Sequence, residues 1–121
     1  LMDEQEIHQL PLKRLLASAT RNATAKSECD SDYFFCINLP NDDCAIINAK
    51  NGADSAITYL KKGADLPSPR SEILIDPRYL FGLLTHIYHW NNAEVGSQYV
   101  TRRVPNIFNR FAQGFLNYLT I

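Results

Sequence analysis

Over residues 3–23 the apolar positions Leu12, Leu15, Leu16, Ala19 and Ala23 recur at three- and four-residue steps, which aligns them along one stripe of a helix. Pro11 has no place in a helix interior, so the main helix begins beside it or kinks there. Residues 24–31 are polar and read as a loop. The period then shortens. Residues 33–39 (Tyr-Phe-Phe-Cys-Ile-Asn-Leu) are aromatic and β-branched, and Pro40-Asn41-Asp42-Asp43 supplies turn chemistry. Residues 44–49 return as the second strand of a hairpin. Asn51-Gly52 marks another tight turn, and residues 55–60 form a third strand of the meander.

Residues 61–70 contain Gly63, Pro67 and Pro69 and form a loop, after which residues 72–75 give a fourth strand. Asp76-Pro77 is a helix start, with a carboxylate to cap free amides and a proline at the first helical position. Tyr79, Leu80, Leu83 and Leu84 provide the apolar face of that helix. Residues 86–92 break the pattern and residues 95–103 read as a fifth strand. Ile107, Phe108, Phe111, Phe115, Tyr118 and Leu119 form the stripe of a last helix, with Gly114 a weak point in it. The order α-β-β-β-β-α-β-α predicts an α+β domain: about five strands, mainly antiparallel, with the helices on one face. It divides into a helix and loop (1–31), a block of strands (32–75) and a helix-strand-helix unit (76–121).

The 121 residues make one domain, and 45% hydrophobic with 21% charged residues predicts a folded chain. Twelve basic residues stand against thirteen acidic ones, a balance that argues against a nucleic-acid or anionic-membrane partner. Cys29, Cys36 and Cys44 are an odd set without paired spacing, which points to reduced thiols and a cytoplasmic setting. Cys36 and Cys44 lie in apolar runs as small core residues, whereas Cys29 falls in a polar loop. No apolar run reaches the roughly 20 residues of a membrane span, and the first residues do not form a signal peptide. A start at Leu1 suggests an excised fragment or a tag remnant.

Little in the chain resembles catalytic chemistry. His86, His89 and Glu94 are close in sequence, but a zinc site needs three or four converging ligands and only His8 remains as a third histidine. Histidines just past a helix end also serve as capping or surface cations. No phosphate loop, nucleophile elbow or dinucleotide fingerprint occurs, so no catalytic residue, metal or cofactor is expected. Trp90, the one tryptophan, sits beside Asn91, Asn92 and Glu94, where it either plugs the core or lines a pocket with polar groups at its mouth. Asn109, Gln113 and Asn117 share one side of the last helix, as a solvated face or a docking surface.

Residues 90–111 (Trp-Asn-Asn-Ala-Glu-Val-Gly-Ser-Gln-Tyr-Val-Thr-Arg-Arg-Val-Pro-Asn-Ile-Phe-Asn-Arg-Phe) resemble the C-terminal tail of CMP-N-acetylneuraminate hydroxylase-like proteins. The family-like positions are Trp90, Val95, Gly96, Gln98, Arg103, Pro105, Asn106, Ile107 and Phe108. The resemblance implies a bacterial, non-catalytic accessory domain that packs on a metallo-β-lactamase-fold catalytic domain or on a second copy of itself. The family's metal motif is absent, so any catalytic parts would lie upstream. Residues 71–85, followed by a strand and a terminal helix, are also similar to the sterol-carrier-protein fold, whose five-stranded sheet often encloses an apolar tunnel. That resemblance implies an alternative, an apolar-ligand module lined by Trp90, Phe81, Leu84, Phe111 and Phe115 with Asn92 and Glu94 at the mouth.

Overall fold

Pro11 suits the position just before a helix, and the first described helix, α1 (Leu12–Lys26), begins directly after it, with the Leu15 amide donating to the Pro11 carbonyl at 3.0 Å. A computed structural model describes residues 10–50, 57–90, 99–107 and 109–121. The expected helical residues 3–9, the Asn51-Gly52 turn and the candidates Asn91, Asn92, Glu94 and Gln98 lie outside these. Along α1, Leu12, Leu16, Ala19 and Ala23 of the predicted stripe are buried, with Thr20 beside them, while Leu15 is half-buried at its edge.

The strands are β1 (Phe34–Asn38), β2 (Asp43–Asn48), β3 (Ile57–Lys61), β4 (Arg70–Leu74) and β5 (Val100–Val104). Between β1 and β2 the Pro40–Asp42 turn carries Asn41 and Asp42 at φ of 68° and 60°. Asparagine and aspartate visit that left-handed region more readily than other side-chain-bearing residues. Helix α2 (Pro77–Leu84) starts as the sequence predicts: Asp76 Oδ1 accepts from the Arg78 amide at 2.8 Å, and Pro77 takes the first position. Gly82 is demanded by packing, because a side chain there would collide with the ring of Tyr88, which stacks on Tyr79 at 4.5 Å. Helix α3 (Arg110–Asn117) is capped by Asn109, whose side chain accepts from the amides of Phe111 and Ala112. That cap, together with the bond between Gln113 and Asn117, accounts for the polar row on this helix.

The five strands form one sheet in the order β3-β2-β1-β4-β5. Three pairings are antiparallel, and β1 with β4 is parallel, from Phe34 opposite Arg70 to Ile37 opposite Ile73. Phe35, Ile37, Ala45, Ile47 and Ile73 face the helices and join Leu16, Leu80, Leu83, Leu84, Trp90, Phe115 and Leu119 in one buried cluster. Cys29, placed by the sequence in a polar loop, is buried in this cluster; its thiol donates to the Ser31 carbonyl at 3.4 Å. Its neighbours Glu28, Asp30 and Ser31 are exposed, so the polar run hides an inward-turned residue.

The last residues are fastened from several directions. Asn22 Nδ2 donates to the carbonyls of Tyr118 and Thr120, each at 3.0 Å, and Trp90 Nε1 donates to that of Leu119 at 2.9 Å. The Ile121 amide and the Thr120 hydroxyl both donate to the Leu84 carbonyl, at 2.8 and 3.1 Å. Backbone polar groups at the chain's end are thereby satisfied by α1, by α2 and by the tryptophan.

Candidate functional site

Strands β1 and β2 carry apolar residues on both faces, a sign that both faces of the sheet are covered. Helices cover one. The other is spanned by the connection from β3 to β4. Both of these strands run in the same direction as β1, so the chain must travel back along the sheet between them. It does so over the outer face, the side away from the helices. There Cys36 and Ile46 are buried although neither belongs to the helix-side cluster.

Between this connection and the sheet lies a groove of about 370 Å³. Alternation along the strands places Cys36 and Asn38 of β1, Cys44 of β2, and Glu72 and Leu74 of β4 together on its floor. Leu39, Ala64 and Leu66 add apolar wall, while Asp42, Asp43, Lys61 and Lys62 stand around the mouth. Asn38 is held rigid by a two-point bond to Ile75, accepting from its amide at 2.8 Å and donating to its carbonyl at 3.2 Å. Towards β5 the floor runs out onto Leu74 and Val100, cross-strand partners that are 61% and 64% exposed.

The connection is tied down by Arg70. Its Nε donates to Glu72 at 2.9 Å, and its Nη1 reaches the Ser68 hydroxyl at 3.0 Å, with longer contacts to the carbonyls of Leu66 and Pro67. The mouth is charged but matched: Asp43 pairs with Lys61 at 2.7 Å and with Lys13 of α1 at 3.1 Å. These ammonium groups, Lys61 foremost, hold the Asp43 carboxyl below the usual carboxylate range. Burial pushes the Cys36 thiol up to about 12; Cys44 adds to the shift, and Arg70 opposes it by more than Glu72 adds. Burial raises Cys44 too, and the Glu72 carboxylate raises it further. Both thiols therefore stay protonated at neutral pH and act as apolar floor, because the thiolate is the nucleophile.

The candidates named from the sequence fall elsewhere. Trp90, Leu84 and Phe115 are buried together on the helix side, and Phe81 packs against that cluster. Trp90 meets Tyr99 edge to face at 5.6 Å, and Phe115 stacks on Phe35 at 6.1 Å. These side chains form packed core, and the groove includes none of them. Phe111 stands apart, 43% exposed, with the Arg110 guanidinium 4.9 Å from its ring centroid. Arg103 lies half-buried on β5 opposite Ser71. His86 and His89 meet edge to face at 4.6 Å, and among the described residues no group of three or more histidine, cysteine or acidic side chains is placed to hold a metal ion. Neither of the groove's walls was named from the sequence. The two-sided apolar pattern of β1 and β2 was the signal for it.

No family model and no curated protein matches the chain. Solved structures do. Sterol carrier protein-2 like-3 from Aedes aegypti superposes with a TM-score of 0.57 at 11% identity, over 91% of this chain and 94% of that one. The sterol carrier protein domain 2 of Helicoverpa armigera gives a TM-score of 0.50 at 19% identity, over 87% of this chain and 78% of that one. The fold is thus α+β, as the element order predicted, and sterol-carrier-protein-like, as the resemblance of residues 71–85 and the elements after them implied. The comparisons give no support to the metallo-β-lactamase-fold setting expected from residues 90–111.

Proposed function

We propose that this chain is a non-catalytic module that binds an apolar small molecule or lipid, held in the groove on the outer face of its sheet. The groove itself carries the reading. It is open, floored by two protonated thiols, Asn38, Glu72 and Leu74, walled by Leu39, Ala64 and Leu66, and continuous with the exposed pair Leu74 and Val100. Its volume of about 370 Å³ lies within the roughly 300–1,000 Å³ usual for ligand clefts. The likeness in fold to two proteins named as sterol carriers supports the same reading. The lining the sequence suggests for such a ligand lies elsewhere: Trp90, Leu84 and Phe115 belong to the domain's own core, so the proposed site is on the opposite face of the sheet.

Native mass spectrometry of the chain, mixed with a long-chain lipid alcohol and then denatured, tests the proposal. The expected result is one added ligand mass that disappears on denaturation and is recovered in an organic extract. Bare polypeptide in the presence of excess lipid overturns it.

A further inference from the structure

Tyr88 lies at the surface, yet its position is closely fixed. Its amide and that of Ile87 both donate to the Gly82 carbonyl, at 3.1 and 2.8 Å. A side chain at position 82 would collide with its ring, so the glycine keeps the seat open. Tyr79 packs against the buried cluster and stacks on Tyr88, with centroids 4.5 Å apart and planes 5° from parallel. The inner face of Tyr88 is thereby covered. The residue is still 44% exposed, so its outer face is a flat apolar surface turned to solvent.

Beside the stack is a cleft of about 330 Å³ lined by Asp76, Arg78, Tyr79 and Tyr88. Its two charged side chains are locked together. Arg78 Nε donates to Asp76 Oδ1 at 3.0 Å and Nη2 to Oδ2 at 2.6 Å, while Oδ1 also takes the Arg78 amide. Such a fork is planar and oriented in advance. The guanidinium holds the Asp76 carboxyl below the usual carboxylate range, and no third charged group among the described residues shifts either partner. The cleft therefore has no net charge with which to draw an anion or a cation. It does have hydrogen bonds to give. Among the described residues three guanidinium hydrogens are unused and Asp76 Oδ2 takes a single bond.

A flat apolar face beside a neutral set of donors and acceptors fits a ligand with a C–H face and a rim of hydroxyls. A pyranose ring has both. Its axial C–H bonds can lie on Tyr88 while neighbouring hydroxyls accept from Arg78 and donate to Asp76. A phosphate would lose its water against a cation already neutralised. An aliphatic chain would strip water from the fork and return no bonds.

We propose that the Tyr79–Tyr88 stack and the Asp76–Arg78 fork form a shallow site for an uncharged saccharide ring. None of the four residues lines the groove, so this site stands or falls independently of the lipid reading.

Amide NMR of the whole chain, titrated with methyl β-glucoside, tests this. The amides of Arg78, Tyr79 and Tyr88 are expected to shift together and to saturate, with a dissociation constant on the order of 1 mM for so small a ligand. Sorbitol offers hydroxyls without a ring face and should bind at least about tenfold more weakly. Tyr88→Leu should weaken the glucoside by at least about tenfold as well. Arg78→Lys keeps the charge and the backbone cap but loses the fork, for an expected loss of at least about threefold. Absence of saturable shifts with glucoside in large excess overturns the proposal. So does equal binding of sorbitol, or a stronger response of the same amides to sodium phosphate. Unchanged affinity in either variant overturns it too. Should Tyr88→Leu fail to fold, Arg78→Lys and the sorbitol comparison decide.

Discussion

The two faces of the sheet are built from the same strands and end in opposite states. Towards the helices, Phe35, Ile37, Ala45, Ile47 and Ile73 meet three helices and Trp90, and the aromatic rings close the remaining space. Away from them, Cys36, Cys44 and Leu74 meet only a connecting segment, which leaves a groove. Helices bring rows of interdigitating side chains, whereas a single extended segment, held by backbone bonds at Lys62 and Pro69 and by Arg70, cannot fill what it covers. Order is supplied by one face and space by the other. The largest aromatics of the chain are therefore poor guides to where a ligand would sit.

Three substitutions sharpen that contrast, and their expected effects on stability decrease in turn. Trp90→Ala should cost about 3–5 kcal/mol in denaturant unfolding, since it opens a core cavity and leaves the Leu119 carbonyl without its donor. A loss below about 1 kcal/mol would show that the helix side is not the packed face. Arg70→Met keeps the aliphatic stem but removes the bonds to Glu72 and Ser68, for an expected loss of about 1–2 kcal/mol. Hydrogen exchange should rise in residues 62–68 and stay unchanged in the helices; a uniform rise would mean that the connection is no separate unit. Cys44→Phe fills the groove, so stability should shift by less than about 1 kcal/mol while affinity for decanol falls more than about tenfold. Unfolding and Nile red titration of the same sample read both quantities. Preserved binding would place the ligand elsewhere.

Much of this architecture is written locally. The stripe on α1, the Asp76-Pro77 start of α2, the Asn41-Asp42 turn and the apolar runs of β1 and β2 all depend on neighbours within a few residues, so the sequence displays them. The parallel pairing of β1 with β4 depends on residues distant in the chain and leaves no local mark. The groove is half hidden for the same reason: the two-sided apolar runs of β1 and β2 signal a covered outer face but not what covers it. Its wall at Ala64 and Leu66 reads as ordinary loop, and its floor at Cys36 and Cys44 reads as core until something is known of what lies above. Trp90 was conspicuous, but its partner is the carbonyl of Leu119, and a backbone group has no signature in sequence.

The parallel joint between β1 and β4 bears also on the order of assembly. The β1-β2-β3 meander can form from near neighbours, while β4 must close a long loop before any of its contacts reward the lost entropy. The groove does not exist until that closure, because Glu72 and Leu74 arrive with β4. A bound molecule spanning Cys44 and Leu74 would then act as a clasp on the last seam of the sheet to be sewn. Mass action would hold that seam shut in proportion to the ligand present.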